Sequence, residues 1–188
     1  MATEPRLLRP AIFLDRDGTI NVEKNYLYKP QDWEWIGGAI DAIRAFNHAG
    51  YLVVVVSNQA GVARGFYRTA DVDALHAYVD QILAEHAANI DAYYYCPHHP
   101  DFGEHRDCNC RKPKPELLLT AQRDLGIDML RSWMIGDKLS DIQAGTAAGA
   151  RSLLVSTGYG AHEAATLSAD TPYTKNLTTA AHLILATA

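Results

Sequence analysis

Short, uninterrupted apolar runs recur along the chain, and each stops abruptly at a polar residue. The clearest are 11–15 (AIFLD) and 51–57 (YLVVVVS), and weaker versions occupy 91–96 (DAYYYC), 132–137 (SWMIGD) and 151–156 (RSLLVS). Runs this short without polar alternation fit strands that are covered on both faces. Segments of helical period lie between them. Over 39–49, Ala39, Ala42, Ile43 and Phe46 share one face, with Gly50 as the stop. Over 69–88, Val72, Leu75, Val79, Ile82 and Leu83 form an apolar stripe, and Thr69 is the expected cap. Pro115 is expected to open a third helix that carries Leu118, Leu119, Gln122 and Leu125 and closes at Gly126. Ser140 is expected to cap a fourth, and 177–186 reads as the last. Strands alternating with helices predict an α/β fold: a Rossmann-like, doubly wound, mostly parallel sheet with helices on both faces and right-handed crossovers. With no repeat, low-complexity tract or linker in view, residues 1–188 are expected to form one domain.

Sheets of this kind bind ligands at the carboxyl ends of their strands, so the residues that follow each apolar run carry the functional information. The first run is followed by Asp15, Asp17, Gly18 and Thr19, in DRDGT. Two carboxylates one residue apart can share a hard cation and still have different jobs, one facing a phosphorus atom and the other a leaving group. A calcium loop fits poorly, because the glycine comes too early and no glutamate follows at the required place. The second run ends in Ser57 and Asn58, whose hydroxyl, amide and backbone N–H groups suit an anion. The fourth places Asp137 at the same edge, with Lys138 beside it and Asp141 one turn further. Each of these alone reads as a turn or a helix cap. Converging with the basic RKPK stretch at 111–114, they describe a Mg2+-assisted phosphoryl-transfer site, a chemistry that depends on charge neutralisation and positioning.

All three cysteines of the chain, Cys96, Cys108 and Cys110, fall in one stretch that also holds His98, His99 and His105. Three thiolates and one imidazole complete a closed tetrahedral zinc site, which leaves no position for a reacting water and is therefore structural. The residues alone leave His98, His99 and His105 all open as the nitrogen ligand. Free thiols are the plain alternative, and a disulfide between Cys108 and Cys110 would be strained.

Composition narrows the setting. The chain is 48% hydrophobic with a formal net charge of −5, enough apolar material for a normal core and the wrong overall sign for binding nucleic acid. Arg106, Arg111, Lys112 and Lys114 surround the cysteine cluster, but one such loop inside an acidic α/β chain is a poor nucleic-acid module. The start, MATEPRLLRP, lacks a signal-like apolar stretch, and no segment is long enough to span a bilayer. A soluble, cytoplasmic monomer in a reducing compartment is expected.

In order and separation, FLDRDGTIN, VVSNQ, RKPKP and IGDKLSD resemble the motifs of the haloacid dehalogenase superfamily of aspartate-dependent phosphatases across residues 11–141. CPHHP with CNCRKP, and NQAGVARG, further resemble the branch that acts on D-glycero-D-manno-heptose 1,7-bisphosphate in the route to nucleotide-activated heptose. That branch has a small zinc loop, here 96–110, in place of a large cap domain. Histidinol-phosphate phosphatases are similar and carry a related loop. The resemblance implies that Asp15 is the nucleophile and Asp17 the general acid and base. It implies Mg2+ held by the Asp15 and Asp137 carboxylates and the Asp17 backbone carbonyl. Ser57 and Lys112 would bind phosphoryl oxygens, Asn58 and Gln59 would line the substrate, and Arg111 would grip the distal phosphate of a small sugar bisphosphate. The loop from Glu23 to Tyr26 lies where it could touch the sugar, and the family pattern favours His98 as the fourth zinc ligand. A phospho-receiver domain is the alternative of a different class, and the second carboxylate, Asp17, speaks against it.

Overall fold

A computed structural model describes residues 8–187; the stretch 1–7, included above in the reading of the start for a targeting segment, lies outside them. The elements run β1 (Ala11–Leu14), α1 (Ala39–His48), β2 (Leu52–Asn58), α2 (Thr69–Glu85), β3 (Ala92–Cys96), α3 (Glu116–Leu125), β4 (Trp133–Gly136), α4 (Leu139–Ala147), β5 (Arg151–Val155), a one-turn α5 (Gly160–Glu163), β6 (Tyr173–Thr174) and α6 (Leu177–Leu185). The six strands form one sheet in the order β3-β2-β1-β4-β5-β6, and every pairing is parallel. The order reverses at β1, so its carboxyl end lies at the switch point where such sheets open a crevice.

Both faces of the sheet are apolar, which is why the strands read as continuous runs. Ile12, Leu14, Val53, Val55 and Ile135 face one core with Ile43 and Phe46 of α1, Val79 and Leu83 of α2, and Ile184 of α6. Their neighbours Ala11, Phe13, Val54, Val56 and Met134 face the other, with Leu118 of α3 and Ala144 of α4. Among the described residues no helix is long and apolar enough to cross a membrane.

Three expectations shift in detail. The caps of α2 and α4 are Arg68 and Lys138 rather than Thr69 and Ser140, because the carboxylates of Asp71 and Asp141 reach back to accept from the Arg68 and Lys138 backbone N–H groups at 2.7 and 3.0 Å. Helix α2 stops at Glu85, and Ala87 turns away with φ 53°. The short β6 and α5 join the five expected strands and five expected helices.

Edge strand β3 carries three consecutive tyrosines, each tied down by a carboxylate. The hydroxyls of Tyr93, Tyr94 and Tyr95 donate to Asp80, Asp124 and Asp73 at 2.7, 3.0 and 2.8 Å, fastening the edge to α2 and α3. From α2, His76, only 4% exposed, stacks on the Tyr93 ring at 4.1 Å, and its Nε2 has no hydrogen-bond partner among the described residues. Burial drives its pKa from 6.5 down to about 3, so His76 is folded in the neutral form. Between those two values the unfolded chain holds one more proton than the folded one, and stability falls as the pH falls. His76→Phe keeps the ring and removes the proton. Denaturant unfolding should show that the wild type loses about 2 kcal/mol more than His76→Phe between pH 7 and pH 5, at about 1.4 kcal/mol per unit below 6.5. Parallel pH dependences would mean that His76 does not carry this acid sensitivity.

Candidate active site

The carboxyl ends of β1, β2 and β4 open into a cleft of about 360 Å³ whose walls include Asp15, Asp17, Ser57, Arg111, Lys112 and Asp141. Lys112 is buried at its floor. Its ammonium lies 2.9 Å from Asp15 Oδ1 and 2.7 Å from Asp141 Oδ1, and it donates to the Val56 carbonyl at 2.7 Å. Asn58 holds the lysine from behind: the Lys112 N–H donates to Asn58 Oδ1 and Asn58 Nδ2 donates to the Lys112 carbonyl, both at 3.0 Å. Asn58 is thus a bracket for Lys112 as well as part of the cleft wall.

Asp137 is fully buried just past β4. Its Oδ2 accepts from the Tyr159 N–H at 2.8 Å, while Oδ1 has no hydrogen-bond partner among the described residues. The backbone crowds this carboxylate at Gly18 (φ 87°) and Gly158 (φ 58°), where a Cβ would strike Asp137 Oδ2. One ligand oxygen each from Asp15, Asp137 and Asp141 lies within 4.8 Å of the others. Of these three buried carboxylates, Asp15 and Asp141 share one lysine, and Asp137 has no ion pair among the described residues. Burial, with the Asp15 charge next to it, pushes Asp137 up to about 8, and burial pushes Asp141 up to about 6. A site short of positive charge, with an orphaned buried oxygen and hard oxygen donors, fits a divalent cation such as Mg2+.

Asp17 is held differently. Its Oδ2 accepts from Arg16 Nε and Nη2 at 3.1 and 2.8 Å and from Gln59 Nε2 at 3.2 Å, and its Oδ1 accepts from Asn21 Nδ2 at 2.9 Å. Burial alone would raise this carboxyl, but the Arg16 charge and these hydrogen bonds outweigh it and keep Asp17 below the usual carboxylate range. Gln59 also donates to Ser57 Oγ at 2.7 Å and accepts from the Tyr67 hydroxyl at 2.7 Å, joining the Ser57 and Asp17 sides of the cleft.

At the outer wall, Arg111 Nη1 donates to the His98 carbonyl at 3.2 Å. Across from it the Glu23 carboxylate accepts from the Asn25 N–H at 2.8 Å and lies 3.6 Å from Lys138 Nζ. Asn25 and Tyr26 both take positive φ, 49° and 61°, which bends this loop toward the opening.

Beneath Arg111 the ligand atoms of Cys96, His98, Cys108 and Cys110 all lie within 4.8 Å of one another. The Cys96 sulfur is 3.6 Å from that of Cys108 and 3.1 Å from that of Cys110, and His98 Nδ1 is 3.4 Å from Cys110 Sγ. Soft donors converging in this way fit Zn2+. The other two histidines face elsewhere: His99 meets Arg64 at 3.3 Å and lines the cleft, and His105 packs its ring on His98 at 5.1 Å.

The structure therefore brings together every site residue expected from the sequence. It adds Arg16, Asn21 and Tyr67, which carried no signal in the sequence, and Asp141, signalled only by its place one helical turn beyond Asp137; His99, open in the sequence as a zinc ligand, lines the cleft instead.

A profile of the HAD-hydrolase-like family matches residues 109–180. The D-glycero-β-D-manno-heptose-1,7-bisphosphate 7-phosphatase of Photorhabdus laumondii is 48% identical over 142 residues, 74% of this chain and 76% of that protein. The Escherichia coli K12 protein of the same name is 48% identical over 153 residues, covering 79% and 80%. Among solved structures, the D,D-heptose 1,7-bisphosphate phosphatase of Bordetella bronchiseptica, complexed with magnesium and phosphate, superposes with a TM-score of 0.87 at 35% identity, over 95% of this chain and 99% of that one. With identity at this level over most of its length, and with the carboxylate cluster at the end of β1, the chain belongs to the haloacid dehalogenase-type phosphatases, in the family of the heptose-1,7-bisphosphate 7-phosphatases.

Proposed function

We propose that the chain is a Mg2+-dependent phosphoric monoester hydrolase that removes the 7-phosphate of D-glycero-D-manno-heptose 1,7-bisphosphate in the route to nucleotide-activated heptose. The observation that carries this reading is the pairing of a carboxylate and a lysine, Asp15 with Lys112, on the floor of a cleft whose outer wall holds a second cation, Arg111. A substrate with a phosphate at each end matches that spread of positive charge. Asp15 attacks phosphorus as the bond to the sugar oxygen breaks, and Asp17 donates the proton that this oxygen takes up. Water then attacks the aspartyl-phosphate, Asp17 takes a proton from it, and inorganic phosphate leaves. The phosphoryl charge entering the cleft opposes the ionised form of Asp17 and so favours its loading with the proton. Lys112 and Ser57 hold the phosphoryl oxygens, Gln59 and Asn58 keep these two groups in place, and Arg111 binds the distal phosphate.

Mg2+, held by the Asp15 and Asp137 carboxylates and the Asp17 backbone carbonyl, would neutralise charge on the transferring group. Zn2+, held by Cys96, His98, Cys108 and Cys110, would stiffen the loop that leads directly into Arg111 and Lys112. On this reading the chain is one catalytic domain with the loop 96–110 in place of a cap, working as a monomer in a reducing cytoplasm.

Asp15→Asn should lower turnover by roughly 10⁴-fold or more and abolish trapping of the phosphoenzyme; near wild-type activity in a clean preparation would move the nucleophile elsewhere. The substrate is checked by comparing kcat/KM for the heptose bisphosphate and for histidinol phosphate. The distal phosphate on Arg111 should favour the first by about 10- to 100-fold, the range of a charge-assisted hydrogen bond, and the opposite preference would reassign the enzyme to histidinol phosphate. Elemental analysis of protein purified without added metal should find close to one zinc per chain, and less than about a tenth would refute the site. Cys108→Ser should lower both the melting temperature and kcat, since the freed loop carries Arg111 and Lys112. A stable, fully active variant would uncouple the two.

A further inference from the structure

We propose that Arg16 is a positioning residue for proton transfer, aiming the Asp17 carboxyl at the leaving oxygen without itself touching the substrate. The inference rests on the phosphatase reading above. Arg16 is 1% exposed and is absent from the walls of the cleft, so it cannot serve as a phosphate ligand. Its guanidinium instead spends two donors, Nε and Nη2, on the single oxygen Asp17 Oδ2, at 3.1 and 2.8 Å. Two converging donors fix Oδ2 more firmly than a single lysine ammonium would, and with Asn21 holding Oδ1 at 2.9 Å the plane of the carboxyl is set as well.

The fork is itself braced. Nη2 also donates to the Leu27 carbonyl at 2.9 Å and to Gln59 Oε1 at 3.3 Å, and the Tyr67 hydroxyl donates to that same Gln59 oxygen. Asn21 holds the other carboxyl oxygen, Oδ1, and its amide also donates to the Val22 carbonyl. Arg16 makes no other ion pair, and its Nη1 has no hydrogen-bond partner among the described residues. A buried arginine retained only for stability would be expected to use its full donor set. Here the donors converge on the one carboxyl that the reaction needs, and the brace from Leu27 comes from the end of the loop lining the opposite wall.

A leaving-group comparison tests this. The 7-oxygen of the sugar needs a proton to depart, whereas p-nitrophenolate departs without one, so in the phosphoryl-transfer step, which kcat/KM reads, only the first reaction depends on how Asp17 is aimed; the later attack of water on the aspartyl-phosphate is common to both substrates and does not enter kcat/KM. Arg16→Lys, which keeps the buried charge and loses the fork, should lower kcat/KM on the heptose bisphosphate by about 30-fold while changing kcat/KM on p-nitrophenyl phosphate by less than about threefold. In an Asp17→Asn background the same substitution should cost less than about twofold on either substrate, because the group it positions is gone. Equal losses on both substrates would overturn the proposal, and so would a loss that persists undiminished without Asp17. Melting temperatures check that the variants are folded. If neither Arg16→Lys nor Arg16→Gln folds, the residue is structural and the proposal is lost. Failure of the substrate assignment is a separate outcome: wild-type enzyme would then spare the heptose bisphosphate, and the comparison runs on any alkyl phosphate monoester that it does hydrolyse.

Discussion

The buried ammonium of Lys112 is the charge around which the site is organised. Taking an amine out of water costs several kcal/mol, and the cost is offset only where good partners are already in place. Here they are Asp15 from β1, Asp141 from α4 and the Val56 carbonyl from β2, so a single nitrogen ties three elements of the sheet region together. The partners outweigh burial and keep the lysine charged, with its pKa above the ordinary value. Asn58 then fixes the backbone of Lys112 against the end of β2 with two hydrogen bonds. The loop that carries Lys112 is the one that begins with the cysteine cluster. The packing of Cys110 against Cys96 and His98 and the charge pairing two residues later restrain the same few backbone bonds, and Arg111 lies between them.

Asp137 shows the complementary constraint, one imposed by backbone instead of charge. Gly18 follows the first pair of aspartates and Gly158 follows β5, yet both pack on one carboxylate oxygen in conformations with positive φ. An L side chain at either place would meet that oxygen and would also be strained. The result is a carboxylate with Oδ2 enclosed by backbone and Oδ1 left without a protein partner. A buried acid without its full set of partners costs stability, and the surrounding turn from Thr157 to Tyr159 offsets this by its own contacts, among them Thr157 Oγ1 donating to the Gly18 carbonyl at 2.6 Å.

Most of the fold was legible because the sheet is parallel and buried on both sides. Strands of that kind need unbroken apolar runs such as VVVV at 53–56, and the helices that cover them need one-sided stripes such as Ile43 with Phe46. The two-residue β6 was not legible, since two residues have no period. The caps of α2 and α4 were misplaced for a physical reason: Asp71 and Asp141 cap backward from the third helical position, and the polar residues nearest the helix starts are bystanders. Within the site, residues that follow strands could be found from the topology rule alone. Arg16, Asn21 and Tyr67 could not, because they matter through Asp17 and Gln59, contacts that only the folded loops create. The choice among three histidines was open in sequence for a similar reason. His98 and His99 are adjacent, and only the turn of the loop sends one toward the sulfurs and the other toward Arg64 and the cleft.

The two aspartates of DRDGT end in opposite electrostatic settings although one residue separates them. Asp15 faces the acidic cluster and shares the lysine with Asp141, so its surroundings are short of positive charge. Asp17 faces Arg16 and two amides and has donors in excess. The first setting suits a group that must meet a cation and then phosphorus, and the second suits a group whose orientation must survive the loss and gain of a proton. Arg16 lies between them in sequence, but its side chain serves only the second. That division follows from the strand ending at Leu14: past it the chain turns tightly through Gly18, the two carboxylates are no longer neighbours on one pleat, and each takes the chemistry of the wall it meets.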